Sequence, residues 1–431
     1  MGQFRFLTAG ESHGKGLVAI VEGMVAGLPL EAEYINRELK RRQGGYGRGA
    51  RMEIEEDKVE IVSGVRYGLT IGSPISLFIA NRDWQNWQEV MSVAPLGKEA
   101  EPITRPRPGH ADLAGVTKYS LEDIRPIMER ASARETAARV AAGAVAKKFL
   151  DEFSIAIHSH TIAIGRVSHE PFASSVIASE AKQSHGAPSK LRETISINWQ
   201  QVEASPVRCA NAEMERKMLA AIDEAKAGGD TLGGVFEVIA AGVPVGLGSH
   251  VHWDRRLDGR IAQAMMSINA VKGVEIGSGF ASAGLKGSQA HDVIEPSSPP
   301  AIARDPSSSS LRGVSATKQS LPWRHATNRA GGTEGGISNG EPVVIRAAVK
   351  PIATLAKPLP SIDLRSGEVA QAHYERSDIC VVPAAGVIGE AMLAIVLADA
   401  SLEKFGGDNL RESLTNYHNY LSSCLRSEGG L

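Results

Sequence analysis

Two segments rich in alanine and glycine constrain the fold of this chain more than any other feature. The first begins near Glu129 and continues through ARETAARVAAGAVAKKFLDEF at 133–153, where Glu135 and Arg139 predict a stabilising i,i+4 pair. The second covers residues 384–405. Both patterns predict helices, and their small side chains allow close approach of neighbouring backbones. We therefore expect helices packed between sheets rather than helices on an open surface.

Short apolar runs elsewhere in the chain are typical of β-strands. They lie at 59–62, 75–79, 235–239 and 343–349, and each is bounded by glycine, proline or charged residues. The chain has 431 residues, which is long enough to bury a substantial core. Length alone does not distinguish one large domain from two.

Charge and cysteine content exclude several classes of protein. The net charge is -2 and the pI about 6.7, so no overall basic field attracts nucleic acid or an acidic membrane. The cysteines are widely spaced, which fits neither a disulfide framework nor a zinc pattern and favours a reducing cytosol. The first residues do not resemble a secretion signal, and no stretch approaches a membrane span. We expect a cytoplasmic protein with no nucleic-acid or membrane partner.

Five arginines accompany a single histidine ahead of the apolar body of the first helix. His110 can exchange a proton near neutral pH, and guanidinium groups bind phosphate and carboxylate through paired hydrogen bonds. The arginines are Arg105, Arg107, Arg125, Arg130 and Arg134. Because the whole chain is nearly neutral, an anion site must be local. The cluster predicts an anion-binding catalytic centre, although a solvated basic surface explains these residues equally well.

A second histidine lies in the glycine-rich segment GESHG at 10–14. The glycines around His13 let backbone N–H groups approach a ligand, and Ser12 can donate a hydrogen bond. A tight turn explains the same glycines. The segment GGTEGGISNG at 331–340 has neither the spacing of a dinucleotide fold nor that of an ATP-binding loop. This pattern does not exclude a site that binds the phosphate of a flavin through backbone amides.

Two His-x-His pairs raise the question of a metal. His158 with His160, and His250 with His252, would each share one face of a strand and could reach one ion. No third ligand with suitable spacing accompanies either pair. We expect ordinary surface histidines and no metal site.

Several motifs in order along the chain resemble those of the chorismate synthases. They cover all but two stretches between residue 6 and about residue 405, and they include GESHG (10–14), RPRPGHADL (105–113), ERASARETAARVAAGA (129–144), GDTLGGVFEV (229–238), MSINAVKGVEIGSGF (266–280), TNRAGGTEGGISNG (327–340) and RSDICVVPAAGVIGEAM (376–392). The resemblance implies an α+β fold, a single-domain sandwich whose helices are enclosed by two antiparallel β-sheets, assembled as a homotetramer. We expect one catalytic domain over 1–410 and a C-terminal tail over 411–431.

The resemblance also implies an activity. Members of the family convert 5-enolpyruvylshikimate 3-phosphate to chorismate by loss of phosphate, with reduced FMN, at the last common step of the shikimate pathway. By this likeness His13 donates a proton to the departing phosphate and His110 protonates the reduced flavin. Asp378, which on its own could be a helix cap, matches a carboxylate near the flavin N5 and is a candidate for the proton-abstraction step.

The family's binding residues carry over to two groups of positions. The predicted flavin-binding residues are Arg130, Ala131, Ser132, Asn269, Ala270, Gly335, Lys350, Pro351, Ile352, Ala353, Thr354 and Arg376. The predicted substrate- or NADP-binding residues are Ser12, Arg42, Arg48 and Arg134. Without the resemblance, the glycine-rich stretch that holds Arg42 and Arg48 indicates a solvated loop. For an enzyme with a single function, the substrate is the more plausible ligand of this second group.

Two segments rich in serine, alanine and proline interrupt the family's pattern. They cover 168–195 and 296–323, and their low apolar content predicts mobile insertions. Two alternatives to the plain synthase stay open. One is a flavin- or nucleotide-binding regulatory protein that has lost the chemistry. The other is a synthase that also reduces flavin with NADPH, in place of an external flavin reductase.

Overall fold

The structure is a computed structural model that describes residues 4–49, 56–97, 100–168, 197–296, 322–375 and 377–425. The two predicted insertions lie almost wholly outside the described residues, and so does Arg376. The expectations for them therefore stay predictions.

Helices are spread along the whole chain. They are α1 (Ala32–Gln43), α2 (Asp112–Tyr119), α3 (Arg125–Arg130), α4 (Thr136–Glu152), α5 (Trp199–Ala204), α6 (Ala212–Gly228), α7 (Leu257–Met266), α8 (Gly287–Ala290), α9 (Val382–Phe405) and α10 (Leu410–Leu425). Short 3-10 turns occupy Arg82–Asn86, Ala133–Glu135, Trp253–Arg255 and Gly279–Gly284.

Strands alternate with these helices. They are β1 (Arg5–Ala9), β2 (Gly16–Glu22), β3 (Val59–Ser63), β4 (Val65–Arg66), β5 (Leu69–Thr70), β6 (Ile75–Ala80), β7 (Ala156–Ile164), β8 (Val167–Ser168), β9 (Gly234–Ala241), β10 (Val271–Ile276), β11 (Ile294–Pro296), β12 (Trp323–His325), β13 (Thr333–Glu334), β14 (Ile337–Ser338), β15 (Val343–Val349), β16 (Pro360–Ile362) and β17 (Val369–Gln371). The four strands predicted from apolar runs are confirmed as β3, β6, β9 and β15.

Two antiparallel sheets form the outer layers of the fold. The first has the order β1-β2-β6-β3, and the second has the order β10-β15-β9-β7-β8. Alternate residues of β2 and β6, such as Leu17 and Ile79, are buried on the face that meets the helices. One apolar cluster joins both sheets to the helices between them. The predicted α+β sandwich is confirmed.

Helices α4 and α9 cross at the centre of this sandwich, where small residues decide the spacing. A Cβ atom added at Gly143 would lie 2.4 Å from the Cβ of Ala391 on α9. On the opposite side of α9, a Cβ added at Gly389 would lie 2.7 Å from the ring of Phe236 on β9. Helix and sheet are therefore too close for larger side chains at these two positions, as the alanine and glycine content predicted.

The start of the central helix differs from the sequence-based prediction. A continuous helix from Glu129 is wrong, because α3 ends at Arg130 and α4 begins at Thr136. Ser132 between them has an extended backbone, with φ -63° and ψ 142°, and its side chain accepts a hydrogen bond from the N–H of Arg134. A serine that caps the next turn competes with helix continuation. The predicted pair is confirmed, since Arg139 Nε donates to Glu135 Oε2 at 2.9 Å.

The chain after residue 410 is also more ordered than the predicted tail. Residues 410–425 form α10, and Tyr417 of this helix is buried against the rings of Phe153 and Phe405. The description of 411–425 as a tail is therefore corrected to a packed helix. Helix α9 is long and apolar enough to span a membrane, but nearly all of its most apolar stretch is buried inside the fold, as expected of a core helix.

Candidate active site

The loop between β1 and β2 carries His13 and is held in one conformation. Gly10 has a φ of +105°, and a Cβ atom there would lie 2.3 Å from the carbonyl oxygen of Gly16. The side-chain amide of Asn81 donates to the carbonyl oxygens of Glu11 at 3.2 Å and Gly14 at 2.7 Å. The glycines therefore serve a tight turn, and this turn presents His13 at a fixed position.

The imidazole of His13 is paired with the carboxylate of Glu129 on α3. His13 Nδ1 lies 3.0 Å and 2.9 Å from the two oxygens of Glu129, and the backbone N–H of His13 donates to Oε2 at 2.8 Å. The backbone N–H of Ser12 also donates to the carbonyl oxygen of Glu129 at 3.1 Å. Because Nδ1 is engaged by Glu129, proton exchange with a ligand runs through Nε2 on the opposite side of the ring.

An aromatic side chain covers one face of the same imidazole. The rings of His13 and Trp87 lie 3.9 Å apart, with 30° between their planes. Trp87 is itself fixed, because its indole N–H donates to Asp83 at 2.9 Å. The guanidinium of Arg125 lies 5.4 Å from the Trp87 ring and 3.4 Å from Glu129 Oε1. Carboxylate, imidazole, indole and guanidinium thus form one packed group.

The second histidine forms a comparable pair with a different carboxylate. His110 Nδ1 is hydrogen-bonded to Asp112, which is completely buried at the start of α2. Arg107 donates to the same carboxylate through Nε at 2.8 Å and through its backbone N–H at 3.0 Å. Burial raises the pKa of Asp112, but the hydrogen bonds from His110 and Arg107 outweigh burial and hold that pKa below its ordinary value. Asp112 therefore stays ionised beside His110.

The His110 pair contacts the predicted flavin-binding segment. Arg107 Nη1 donates to the hydroxyl of Thr354 at 3.1 Å, and the ammonium of Lys350 donates to the carbonyl oxygen of Gly109. Ser377, next to Asp378, donates to the carbonyl oxygen of Thr354 at 2.8 Å. The structure thus brings together three separate parts of the sequence, at 107–112, 350–354 and 377–378.

Asp378 is paired with Arg48, one of the predicted substrate-binding residues. Arg48 Nη1 lies 2.9 Å from Asp378 Oδ2, and the backbone N–H of Gly49 donates to Oδ1 at 2.6 Å. A carboxylate can accept about four hydrogen bonds, so these two contacts leave it room for a further donor. The glycine-rich stretch 44–49, expected from composition to be solvated, is folded against Asp378.

Arg42 and Arg134 are buried side by side on one carboxylate. Both guanidinium groups bond to Asp57, and both side chains are less than 5% exposed. Arg42 also donates to Thr136 and to a backbone carbonyl, and Arg134 donates to Asn81 at 2.9 Å. The predicted substrate contacts of these two arginines stay predictions.

The charges around Arg42 are unusual for an arginine. Burial is the main reason that the pKa of Arg42 falls to about 10. Asp57 opposes this shift, but the neighbouring charges of Arg48 and Arg134 lower the pKa further. Asp378, the partner of Arg48, also opposes the shift, so three arginines here face two carboxylates. This excess of positive charge favours an anionic ligand.

Several predicted flavin-binding residues form a connected group beyond the C-terminal end of α7. The turn of Arg130, Ala131 and Ser132 meets Asn269, whose amide donates to the carbonyl oxygen of Ala131 at 3.1 Å. The carbonyl oxygen of Ala270 accepts from the N–H of Lys350 at 2.9 Å. Asn269 Oδ1 is buried, and it has no hydrogen-bond partner among the described residues. This group offers a bound molecule an amide oxygen, a serine hydroxyl and an ammonium.

Other predicted binding residues lie at varying distances from this group. The hydroxyls of Ser12 and Ser132 are 3.2 Å apart, and Ile352 is held by a bond from Thr231. Pro351 and Ala353 lie in the same segment as Lys350 and Thr354. Gly335 lies at the turn between β13 and β14, beside the beginning of α7, whereas Asn269 follows its end. Helix α7 has ten residues and is about 15 Å long. Within one chain, Gly335 is therefore separated from the group by the length of this helix.

Glu375 is close enough to both histidine pairs for their charges to affect its pKa. Burial raises its pKa, but nearby positive groups outweigh burial and lower the pKa of this carboxyl. These groups are His373, Arg107 and His13. Because Glu375 senses both Arg107 and His13, the two pairs face a shared region.

Sequence reasoning missed several residues of this site, namely Asp57, Asn81, Trp87, Asp112, Glu129 and Glu375. Asp112 had a local signal, because it follows His110 by two residues within the same motif. Glu129 was assigned to a continuous helix, which concealed its contact with a loop 116 residues earlier. Asp57 and Asn81 gave no local signal, since their partners are distant in sequence.

The expectation of surface histidines is wrong for the first His-x-His pair. His160 is buried on β7 and lies 3.0 Å from Glu237 of β9, and His158 stacks on Trp199 at 4.7 Å. His252 is exposed and pairs with Asp254. The first pair is therefore covered by α5.

Comparisons with known proteins show the family of the chain. The family model described as "Chorismate synthase" matches residues 4–402. Chorismate synthase of Moorella thermoacetica is 55% identical over 97% of this chain and 99% of its own length, and that of Aquifex aeolicus is 54% identical over 97% of each.

A solved structure gives the same result for the fold. The structure titled "Crystal Structure of Chorismate Synthase" is 45% identical, with a TM-score of 0.71 over 98% of both chains. Sequence and fold therefore agree over nearly the whole length. The chain belongs to the chorismate synthase family, a family of enzymes of the shikimate pathway and aromatic biosynthesis.

Proposed function

We propose that the chain is a carbon–oxygen lyase that removes phosphate from 5-enolpyruvylshikimate 3-phosphate and gives chorismate, with reduced FMN required. The observation that carries this proposal is the grouping of two histidine–carboxylate pairs with a cluster of buried arginines. The substrate carries a phosphate and two carboxylates, so it needs concentrated positive charge and donors with fixed geometry. Guanidinium groups suit this task because they stay charged when buried.

The group around Asn269 supports the FMN requirement. Asn269 Oδ1 is a buried acceptor that a ring N–H can satisfy, and Ser132 and Lys350 of the same connected group carry donors. We propose that these residues hold the cofactor together with the segment 350–354. Bound reduced FMN would lend electron density to the substrate as phosphate leaves. That electron density would return when the substrate loses its proton. The overall reaction is redox-neutral.

The side chains of this chain take part in the proton transfers. We propose that His13 gives a proton from Nε2 to the departing phosphate and that His110 keeps the reduced cofactor in its required protonation state. Asp378 is the candidate acceptor in the proton-abstraction step, with Arg48 and the N–H of Gly49 fixing its orientation. Each transfer needs a positioned group, and such groups contribute about 10²- to 10⁴-fold in rate.

The source of reduced FMN is a separate proposal. We propose that an external flavin reductase supplies it, with NADPH as an indirect reductant, in the cytoplasm. The experiment is an anaerobic assay of chorismate formation and phosphate release with dithionite-reduced FMN, with oxidised FMN plus NADPH, and with no flavin.

Only the assay with dithionite-reduced FMN should give turnover. Turnover without flavin, or none with excess reduced FMN, overturns the proposed function. Turnover with oxidised FMN and NADPH instead supports the alternative in which the same chain reduces its flavin.

We also propose a homotetramer, supported by an apolar surface on the first sheet. Leu7 and Ile20 are register partners on β1 and β2, and they are 75% and 43% exposed on the face opposite the helices. Val62 on β3 is exposed too. Exposed apolar residues mark association surfaces, and we propose a second copy of the chain as the occupant of this one. Light scattering should give four times the chain mass, and Leu7→Lys should reduce it; an unchanged mass rejects this face.

A further inference from the structure

We propose that Glu129 is the positioning residue of His13, and that its carboxylate holds the imidazole aimed at the departing phosphate. The proposal rests on the proposed elimination reaction, because it assigns His13 the role of acid. It adds a partner that the predicted set of site residues did not include. It also assigns a reason for the side chain of Trp87 on the opposite face of the ring.

The contacts between Glu129 and His13 fix both the ring and the loop. Both carboxylate oxygens lie within 3.0 Å of His13 Nδ1, and Oε2 also accepts from the backbone N–H of His13. Rotation of the imidazole would break the side-chain contact, whereas movement of the loop would break the backbone contact. Glu129 therefore determines which ring nitrogen faces the substrate.

Burial makes the charge of Glu129 dependent on its partners. The side chain is 1% exposed, and a buried carboxylate needs a paired positive charge. The candidates in contact are His13 and Arg125, of which Arg125 reaches only one oxygen at 3.4 Å. His13 is thus the closer partner of this carboxylate.

Trp87 adds a second interaction in the same direction. The rings of Trp87 and His13 lie 3.9 Å apart, so the indole limits movement of the imidazole on that side. Glu129 and Trp87 therefore hold His13 from two sides in a fixed position.

The first test compares Glu129→Gln with Glu129→Asp in the full-length enzyme with reduced FMN. Glutamine keeps the shape but removes the charge, so kcat should fall roughly 10²- to 10⁴-fold while KM stays within about threefold. The alkaline limb of the kcat–pH profile should move to lower pH. Glu129→Asp restores the charge and should recover part of kcat and the position of the limb. Wild-type kcat and profile in Glu129→Gln would overturn the proposal.

The matched control is Glu237→Gln, which breaks another buried histidine–glutamate pair away from the site. It should leave the pH profile as in the wild type. A shifted profile in this control would mean that loss of any buried pair moves the limb, and the proposal would fail. If Glu129→Gln does not fold, Glu129→Asp decides between the outcomes. A reduced kcat with the pH profile of the wild type supports a carboxylate that keeps its charge but is displaced from His13. An unchanged kcat contradicts the positioning role.

The second test does not depend on turnover. The imidazole of His13 stacks on the indole of Trp87, so the emission difference between the wild type and Trp87→Phe reports on the position of this ring. In Glu129→Gln the matched difference, taken against the double variant with Trp87→Phe, should change because the ring loses its anchor. An unchanged difference rejects the role of Glu129 even if the enzyme is active. If the wild type makes no chorismate at all, the proposed function fails, whereas the fluorescence result still judges the pairing.

Discussion

Arg41 and Arg42 are neighbours on α1, yet they lie in two ionic networks of opposite character. Arg41 forms two bonds to Glu390, at 2.7 Å and 2.8 Å, and also pairs with Glu203 and Glu38. Burial lowers the pKa of Arg41, but these carboxylates outweigh burial and raise it. Arg42, in the candidate active site, has a pKa lowered to about 10 by burial and by neighbouring arginines.

The network around Glu390 is balanced within the fold. Its carboxylates, Glu38, Glu203 and Glu390, face the cations Arg41, Lys147 and Arg208. In the site, two arginines share the single carboxylate of Asp57. The difference teaches that burial alone does not mark a binding site. A buried cluster whose positive charges are balanced stabilises the fold, whereas a cluster with excess positive charge favours an anion.

The largest expected effect separates catalysis from stability at the site. His13→Ala and His110→Ala should each lower kcat about 10²- to 10⁴-fold, because each removes a positioned proton-transfer group. The melting temperature should fall only modestly, because Glu129 and Asp112 each keep an arginine partner. Steady-state kinetics with reduced FMN and thermal unfolding measure the two effects. His252→Ala is the control, since this exposed histidine also pairs with an aspartate but lies outside the site. Near-normal kcat in either site variant would contradict its assigned role.

The balanced network should show the opposite result. Glu390→Gln leaves three cations without their central buried countercharge, so the free energy of unfolding should fall by about 3 to 5 kcal/mol. KM should be unaffected in the protein that stays folded. Denaturant unfolding measures the loss. Glu152→Gln, which breaks a half-exposed pair with Lys148, should cost less than about 1 kcal/mol. Equal losses in the two variants would remove the distinction between the networks.

Arg134→Ala should affect both binding and stability, because it belongs to the site and is buried. A charge-assisted contact made in ground state and transition state alike contributes uniform binding, so KM should rise about 10- to 100-fold with little change in kcat. Loss of one partner of Asp57 should also lower the melting temperature. A change in kcat alone would show that Arg134 acts in the transition state instead.

Lowering the pH should weaken the balanced network by protonating its carboxylates, because the arginines stay charged in acid. Burial raises the pKa of Glu203, but bonds from Arg41 and Arg208 outweigh it and lower the pKa to about 2. A carboxylate with a lowered pKa stabilises the fold above its ordinary pKa, and this contribution is lost as pH falls through the folded value. Melting temperature should therefore decline between about pH 4.5 and pH 2, and Glu203→Gln should flatten that decline. An unchanged slope in the variant would contradict this assignment.

The smallest effect is expected for the second predicted insertion. Pro296 and Trp323 are paired partners of β11 and β12, so the ends of the intervening segment are adjacent. Replacing residues 297–322 with a short Gly-Ser linker should leave activity intact, because loop closure costs only about 0.6 kcal/mol per doubling of length. Kinetics and thermal unfolding test this. Loss of folding or activity would show that the segment is a structural element.

Local patterns were sufficient for much of the fold. The strands β3, β6, β9 and β15 and the helix α9 follow from apolar runs and small residues, because those patterns reflect burial directly. The break in the helix at Ser132 could not be predicted from these patterns, because a single capping serine competes with strong helix formers on both sides. Helix α10 was missed because its buried face depends on Tyr417 meeting Phe153, which is distant in sequence.

The site was predictable only in part for the same reason. The motifs identified His13, His110 and Asp378 as candidates, but not the carboxylates that hold the histidines. Glu129 and His13 are 116 residues apart, and nothing local to either residue indicates the pair. Likewise, adjacent positions 41 and 42 have the same residue type, so only the tertiary structure shows that one faces a balanced network and the other a cation-rich one.

The most direct test of the cation-rich site is equilibrium binding of 5-enolpyruvylshikimate 3-phosphate and of the same compound without its phosphate, each with oxidised FMN so that no turnover occurs. The phosphate should increase affinity about 10- to 100-fold in the wild type and in Glu390→Gln, because charge-assisted bonds contribute about 1.5 to 3 kcal/mol. Arg48→Ala should lose much of that increase. Equal affinity for the two compounds in the wild type would contradict the account.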